Sequence, residues 1–424
     1  MRSRKTFEGT YTKDLLRKSL TWAQKFKVSA FFNNNQIPYP HEPFQLMLAT
    51  GSIDSVSFNA GHAFSALKDF TELHKDYLFG FFSYDLKNEV EKLSTMKNDP
   101  LLFPDLYFFQ PAHLIFFRED KIVIESVDDP EKIYREISGI EMKASHPKAS
   151  IEIKQNLSRD EYLKRISMLR DHLIEGDIYE INFCIEFFAK NALIDPVDLY
   201  FQLNQKSPMP FSAFFRLEDK YLLCASPERF LKNDNGLLIS QPIKGTRKRG
   251  SGKEEDLLLK AELMNSEKEI SENMMIVDLV RNDIARSCEA GTIKVEELFA
   301  IYSFKHVHQM ISTIVGKKRA DIHFIDVIKN AFPMGSMTGA PKISAMQLIE
   351  KYEPSKRGLF SGAIGYITPD RNFDFNVIIR SLLYNSTNKY LSFQAGSAIT
   401  YEADPEKEYE ECILKASAIR EMLS

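Results

Sequence analysis

Tyr221-Leu222-Leu223-Cys224-Ala225, Asn233-Asp234-Asn235-Gly236 and Leu237-Leu238-Ile239-Ser240 form, in order, an apolar run, a turn signal and a second apolar run. The pattern is that of a β-hairpin. Two short motifs lie inside and just after it, Ser226-Pro227-Glu228-Arg229-Phe230 and Pro242-Ile243-Lys244-Gly245-Thr246. Folding the hairpin is expected to place the Glu228 carboxyl and the Lys244 amine at neighbouring positions on paired strands. A lysine between proline and glycine with a carboxylate nearby suits covalent catalysis on an electrophilic substrate. Taken alone, the pair reads first as a solvated cross-strand ion pair. A one-residue slip of the turn would also put the two side chains on opposite faces.

The chain has 424 residues, of which 44% are apolar and 27% charged, the balance of a globular protein with a large core. Thirty-two Phe and seventeen Tyr against one Trp imply a bulky, aromatic interior. The net charge of −4 argues against nucleic acid or an anionic membrane as partner. The one dense basic run, Lys244 to Arg249, is too short to track a phosphate backbone. Cys184, Cys224, Cys288 and Cys412 are scattered without metal-ligand spacing, which points to reduced core thiols and a cytoplasmic location. No apolar run reaches the length of a membrane span, and no export signal is expected.

The polar stretch Lys143 to Ser150 divides an N-terminal region, 1–145, from a second region, 151–424. A helix is expected over Thr12–Phe26. Another starts at Ser158 with a capping box to Glu161, buries Tyr162, Ile166, Leu169 and Leu173, and closes at Gly176. Further helical patterns cover Glu254–Leu279, Ile325–Ala331, Ala340–Lys351 and Lys407–Met422. Strand-like runs recur at Ala213–Arg216, Tyr221–Ala225, Leu237–Gln241, Ala363–Thr368 and Leu391–Ala395. Hairpins outnumber βαβ units, so the expected class is α+β, with large, mostly antiparallel sheets forming a sandwich and helices packed outside.

Two helices carry carboxylates three residues apart and so on one face: Glu269 with Glu272, and Glu408 with Glu411. Lys415 lies four residues beyond Glu411. Each pair alone reads as a solvated helix face, but two such faces meeting can surround one Mg²⁺. Gly335 to Lys342, which contains Ser336, and the segment around Gly396 keep side chains small, so backbone N–H groups can approach an anion. Arg380 and Lys415 are candidate carboxylate binders, against the plainer reading of surface cations. His308 sits in an apolar segment, where a hydrogen-bonded core histidine is the simpler reading.

Read in order, these motifs resemble those of the chorismate-utilising enzymes: the large subunits of anthranilate synthase and aminodeoxychorismate synthase, with the isochorismate and salicylate synthases. The matching strings include Gly176-Asp177-Ile178-Tyr179-Glu180-Ile181-Asn182 and Glu272-Asn273-Met274-Met275-Ile276-Val277-Asp278-Leu279-Val280-Arg281-Asn282-Asp283, with the Glu228 and Lys244 motifs between them. Gly335 to Lys342, Arg357-Gly358, Gly362 to Tyr366, Ile379-Arg380 and Glu408 to Glu411 follow. The resemblance is dense over about 155–420 and implies an anthranilate synthase component I-like fold.

The version with Lys244, where other branches have alanine, is similar to aminodeoxychorismate synthase component I. That likeness implies attack of the lysine on chorismate C2, loss of the 4-hydroxyl, and displacement of the lysine by ammonia at C4. It makes Glu228 the general acid and has Mg²⁺ held directly by Glu272 and Glu411, and through water by Glu269 and Glu408. Thr246, His308, Ser336, Arg380, Gly396 and Lys415 would contact the substrate. Cations such as Arg247 are expected to lower the Lys244 pKa. A separate glutamine amidotransferase subunit is the expected ammonia source, the 424 residues leaving no room for a fused glutaminase. Two positions depart from the family pattern: Phe360 stands for a tyrosine and Glu180 for a glutamine. The competing readings are an anthranilate synthase large subunit, an isochorismate synthase or a non-catalytic chorismate-binding subunit.

Overall fold

The computed structural model describes residues 2–91, 93–142 and 151–423. The expected boundary at Lys143 to Ser150 lies outside them. The first part of the chain forms β1 Ser3–Glu8, α1 Lys13–Ala23, β2 Val28–Asn33, β3 Met47–Phe58, α2 Ala63–Leu73, β4 Leu78–Phe82, α3 Lys87–Val90, β5 Leu106–Phe117, β6 Lys121–Ser126 and α4 Pro130–Ser138. Then come β7 Lys154–Gln155, α5 Arg159–Glu175, β8 Glu180–Ala189, α6 Pro196–Lys206, β9 Phe211–Leu217, β10 Lys220–Ser226, β11 Arg229–Asp234, β12 Leu237–Gln241 and β13 Ile243–Lys248. The last part holds α7 Lys253–Met264, α8 Glu267–Ala285, β14 Lys294–Ser303, β15 Val307–Lys317, α9 Phe324–Ala331, β16 Gly339–Ala340, α10 Lys342–Tyr352, β17 Ala363–Ile367, β18 Phe373–Val377, β19 Ser381–Asn385, β20 Tyr390–Thr400 and α11 Pro405–Leu423.

The strands pair antiparallel in one continuous network. It runs from β8 through β20, β19, β10, β9, β2, β3, β5, β4, β17, β18, β11 and β12 to β15, which also pairs β13 and β14. The network encloses an apolar interior to which no helix of the described residues contributes, built from Phe32, Phe79, Phe81, Phe109, Phe211, Phe215 and Tyr366 among others. This is the interior of the sandwich, and it shares the buried phenylalanines with the two outer clusters. On one outer side α1, α4, α5, α6, α10 and α11 cover a second cluster; on the other, α2, α8 and α9 cover a third. Strand β4 alternates accordingly, Phe79 and Phe81 facing inward while Leu78 and Phe82 face α2 and α9. No helix of the described residues is long and apolar enough to cross a membrane.

The capping box at Ser158 and Glu161 forms as expected, and Gly176 closes α5 in the left-handed region. The turn of the hairpin is also where the sequence puts it, Asn235 and Gly236 both taking the positive φ a two-residue hairpin turn needs. Its first arm differs. The turn joins β11 to β12, whereas Tyr221–Ala225 belongs to β10, which pairs with β9 and β19. Glu228 therefore precedes β11, while Lys244 lies on β13 and pairs into β15, so the two do not sit on partnered strands. The single helix expected over Glu254–Leu279 is two, because Ser266 caps a new one by accepting from the Glu269 N–H.

Gly365 on β17 faces Gly80 on β4 in register, and a Cβ at 365 would fall 1.9 Å from the Asp374 carbonyl oxygen. Gly365→Ala is expected to destabilise the fold by about 1–3 kcal/mol or more, read as a lower urea midpoint. An unchanged midpoint would mean that the seam tolerates wider strand spacing.

Candidate active site

Four glutamates and one lysine converge where the two ends of the strand network approach each other. Lys244 on β13 donates from Nζ to Glu180 Oε1 on β8, although the two strands share no ladder. Glu180, Glu228, Glu272 and Lys244 are all buried, at 1%, 4%, 6% and 9% exposure. Gly245, with φ +87°, lets α7 and α8 come close, since a Cβ there would lie 3.0 Å from Leu263 Cδ1 on α7 and from Glu269 Oε2 on α8.

Burial pushes the Glu228 carboxyl up to about 7, partly opposed by the Ser336 hydroxyl, which donates to Oε1 at 2.6 Å, and by the charge of Lys244. Ser336 is held in the short turn Gly335–Met337. Burial likewise raises Glu272 to about 7, against the pull of Lys244. For Lys244, burial acts downward, but Glu180, Glu272 and Glu228 outweigh it and the pKa rises. The expectation that Arg247 lowers it is therefore corrected. The Arg247 guanidinium is turned to Glu269 at 3.2 Å, so carboxylates and not cations dominate around the amine.

The expected metal residues fall into two kinds. Glu272 on α8 and Glu408 on α11 are buried, and Glu272 Oε1 and Glu408 Oε2 have no hydrogen-bond donor among the described residues. Between them stands the Lys268 ammonium, 3.3 Å from Glu408 Oε1 and 3.8 Å from Glu272 Oε1. Buried carboxylate oxygens without donors, gathered around a cation, fit a divalent ion. Glu411 is more exposed, paired to Lys415 at 2.7 Å and held below the usual range by Lys415, Lys268 and Lys244 against the effect of burial. Glu269 is engaged by Arg247.

The other predicted contacts are spread more widely. Arg380 is half-buried at φ +50°, its Nη1 meets the Met209 sulfur at 4.0 Å, and burial lowers its pKa to about 10 while Glu228 opposes. Lys415 donates to the Gly396 carbonyl at 2.9 Å. Gly396 itself is needed for strand approach, because a Cβ would lie 2.5 Å from Cys184 Sγ. Thr246 is half-buried opposite Gln309. The two nitrogens of His308 are taken by Ser303 and Asp256, at 2.8 and 2.9 Å. A cavity of about 330 Å³, counting its open mouth, reaches Glu228 and Ser336 but not Lys244. Phe360 is a buried core residue. Sequence reasoning missed Lys268, although its i,i+4 spacing to Glu272 was a usable signal, and did not foresee the contact of Glu180 with Lys244.

The chorismate binding enzyme signature matches residues 26–421, nearly the whole chain. The chain belongs to the chorismate-binding enzyme family. Within that family it is 42% identical, over 62% of its length, to a probable chloroplastic aminodeoxychorismate synthase of Oryza sativa subsp. japonica, of which it spans 29%. It is 35% identical to aminodeoxychorismate synthase component 1 of Klebsiella aerogenes, with 81% of this chain and 76% of that one covered. Anthranilate synthase component I from Streptococcus pneumoniae TIGR4 superposes with a TM-score of 0.78 at 25% identity, covering 92% of this chain and 95% of its own. The chain thus spans under a third of the rice relative and about three quarters of the bacterial one.

Proposed function

We propose that this chain is an aminodeoxychorismate synthase component I, converting chorismate and ammonia to 4-amino-4-deoxychorismate on the route to 4-aminobenzoate and folate. The observation that carries the reading is a buried amine, Lys244, at the centre of a glutamate cluster in a chorismate-binding chain. The chemistry is assigned to region 151–424, with 1–145 as an N-terminal supporting region. A glutamine amidotransferase subunit is the proposed ammonia source. The four buried free thiols suit a reducing cytoplasm.

Lys244, once neutral, attacks C2 of the ring, and the ring double bonds shift to expel the 4-hydroxyl. Glu228 gives that hydroxyl its proton, so water leaves. Ammonia then adds at C4, the C2–N bond breaks, and the amine returns to Lys244. The proton from the new C4 ammonium restores Glu228. Arg380 would bind a substrate carboxylate, and Ser336 would orient the acid. Glu272 and Glu408, with Glu411 and Glu269 around them, would hold Mg²⁺, Lys268 giving way. Bound there, the ion would supply a positive anchor for the ring carboxylate. Thr246, His308, Gly396 and Lys415 remain proposed contributors to the pocket wall.

Incubation with chorismate, Mg²⁺ and ammonium salt should yield a product that a lyase converts to 4-aminobenzoate, identified by mass and chromatography. 2-Aminobenzoate as sole product would replace this reading with anthranilate synthesis. Glu272→Gln is expected to raise the Mg²⁺ concentration for half-maximal activity at least about tenfold, with calorimetry giving the matching loss of metal affinity. Unaltered metal affinity in that variant would remove Glu272 from the ligand set.

A further inference from the structure

Glu180 is held on both sides by neighbouring strands, pairing with Ala340 on β16 and Thr400 on β20. β16 lies close, since a Cβ on Gly339 would fall 2.1 Å from the Glu180 carbonyl oxygen. The side chain is almost wholly buried. Its Oε1 accepts from Lys244, and its Oε2 has no hydrogen-bond donor among the described residues. A buried carboxylate with so little compensation depends on that one ammonium, and its Cα is fixed by two ladders. Glu180 therefore cannot follow the lysine; the lysine must come to it.

The charges facing Lys244 are those of Glu180 on β8, Glu272 on α8, Glu228 before β11 and Glu411 on α11. The nearby cations are otherwise occupied, Arg247 by Glu269 and Lys268 by Glu272 and Glu408. After burial, which opposes the ammonium, Glu180 is the strongest influence on it and also makes the direct hydrogen bond.

We propose that Glu180 is a positioning residue for the Lys244 amine: it aims the side chain across the gap between β8 and β13 and holds it as an ammonium, so that the Glu180–Lys244 contact sets the pH at which the nucleophile becomes available. This rests on the reading of Lys244 as nucleophile given above. Attack needs the neutral amine, so the onset of activity with pH follows the loss of the Lys244 proton.

The test combines two measurements on the full chain. The first is a pH titration by NMR of protein labelled with ¹³Cε-lysine, the Lys244 resonance assigned by its loss in Lys244→Met. The second is the pH profile of kcat/KM for chorismate with saturating Mg²⁺ and a fixed concentration of free ammonia. The isosteric Glu180→Gln is expected to lower the Lys244 midpoint by about one pH unit or more, and the acid limb of kcat/KM should move down with it. Glu180→Asp keeps the charge on a shorter arm; its midpoint should stay nearer the wild type than that of the Gln variant, with kcat reduced up to about 10²-fold by misplacement. An unmoved midpoint in Glu180→Gln, or an equal shift in Glu180→Asp, overturns the proposal. A midpoint that moves while the acid limb stays also overturns it. If the midpoint moves as expected but neither wild type nor variant aminates chorismate, the proposed function fails while the placement of Lys244 by Glu180 stands.

Discussion

Replacing Lys244 by alanine is expected to lower formation of 4-amino-4-deoxychorismate by on the order of 10⁴-fold or more, the scale seen when a covalent nucleophile is deleted. The loss should lie in kcat, with chorismate affinity in the presence of Mg²⁺ little changed, because Arg380 and the glutamate cluster on α8 and α11 are untouched. Intact-mass spectrometry gives a second reading. Wild-type protein held with chorismate and Mg²⁺ but without ammonia should accumulate a covalent adduct, and the variant should not. The substitution also strands Glu180, a buried carboxylate whose one donor among the described residues is Lys244, so thermal stability should fall. Activity must therefore be measured at a temperature where circular dichroism shows the variant folded. A folded Lys244→Ala with full activity removes the covalent route.

Glu228→Gln should reduce kcat by about 10²–10⁴-fold, since the amide keeps the shape and the contact with Ser336 but cannot deliver a proton to the departing hydroxyl. The wild-type rate, rising with pH as more Lys244 becomes neutral, should stop rising at about 7, where the Glu228 carboxyl gives up its proton, and the variant should lack that break. Stability should fall as pH rises over this range. Because burial raises Glu228 from 4.5 to about 7 in the folded chain, the stability tied to its protonated form is fully present below pH 4.5 and is lost as pH rises through about 7. Urea midpoints of Glu228→Gln relative to wild type should therefore improve between pH 5 and 8. A constant difference across that range would show that Glu228 does not titrate there.

The sequence carries the fold through local signals. Strands announce themselves as aromatic and β-branched runs, α5 by its capping box, and the β11–β12 turn by Asn235-Gly236. What stays hidden is pairing at a distance. β11 includes Arg229 and Lys232 and reads as polar, so the purely apolar Tyr221–Ala225 looks like the better hairpin arm. In the folded chain Arg229 is fully buried, bonded to Asp374 on β18 at 2.9 Å and stacked on Phe211, partners 145 and 18 residues away. The break between α7 and α8 was legible, because Ser266 with Glu269 three residues on is a capping signal inside a long helical pattern. Of the site, the glutamate spacings and the lysine between proline and glycine are visible in one dimension. The opposition of Glu180 to Lys244 is not, because it arises where strands 64 residues apart face each other without a ladder.

The seam between the two parts of the chain decides how the protein can be divided. β2 takes β9 as its neighbour and β4 takes β17, so the strands of the first 142 residues fill slots in the middle of the network. A fragment made of 151–424 alone would expose two raw edges and half of a phenylalanine-lined interior, and should collect in inclusion bodies. Supplied with the missing piece in the same cell, it should recover as a split protein whose halves are drawn together by their unpaired backbones.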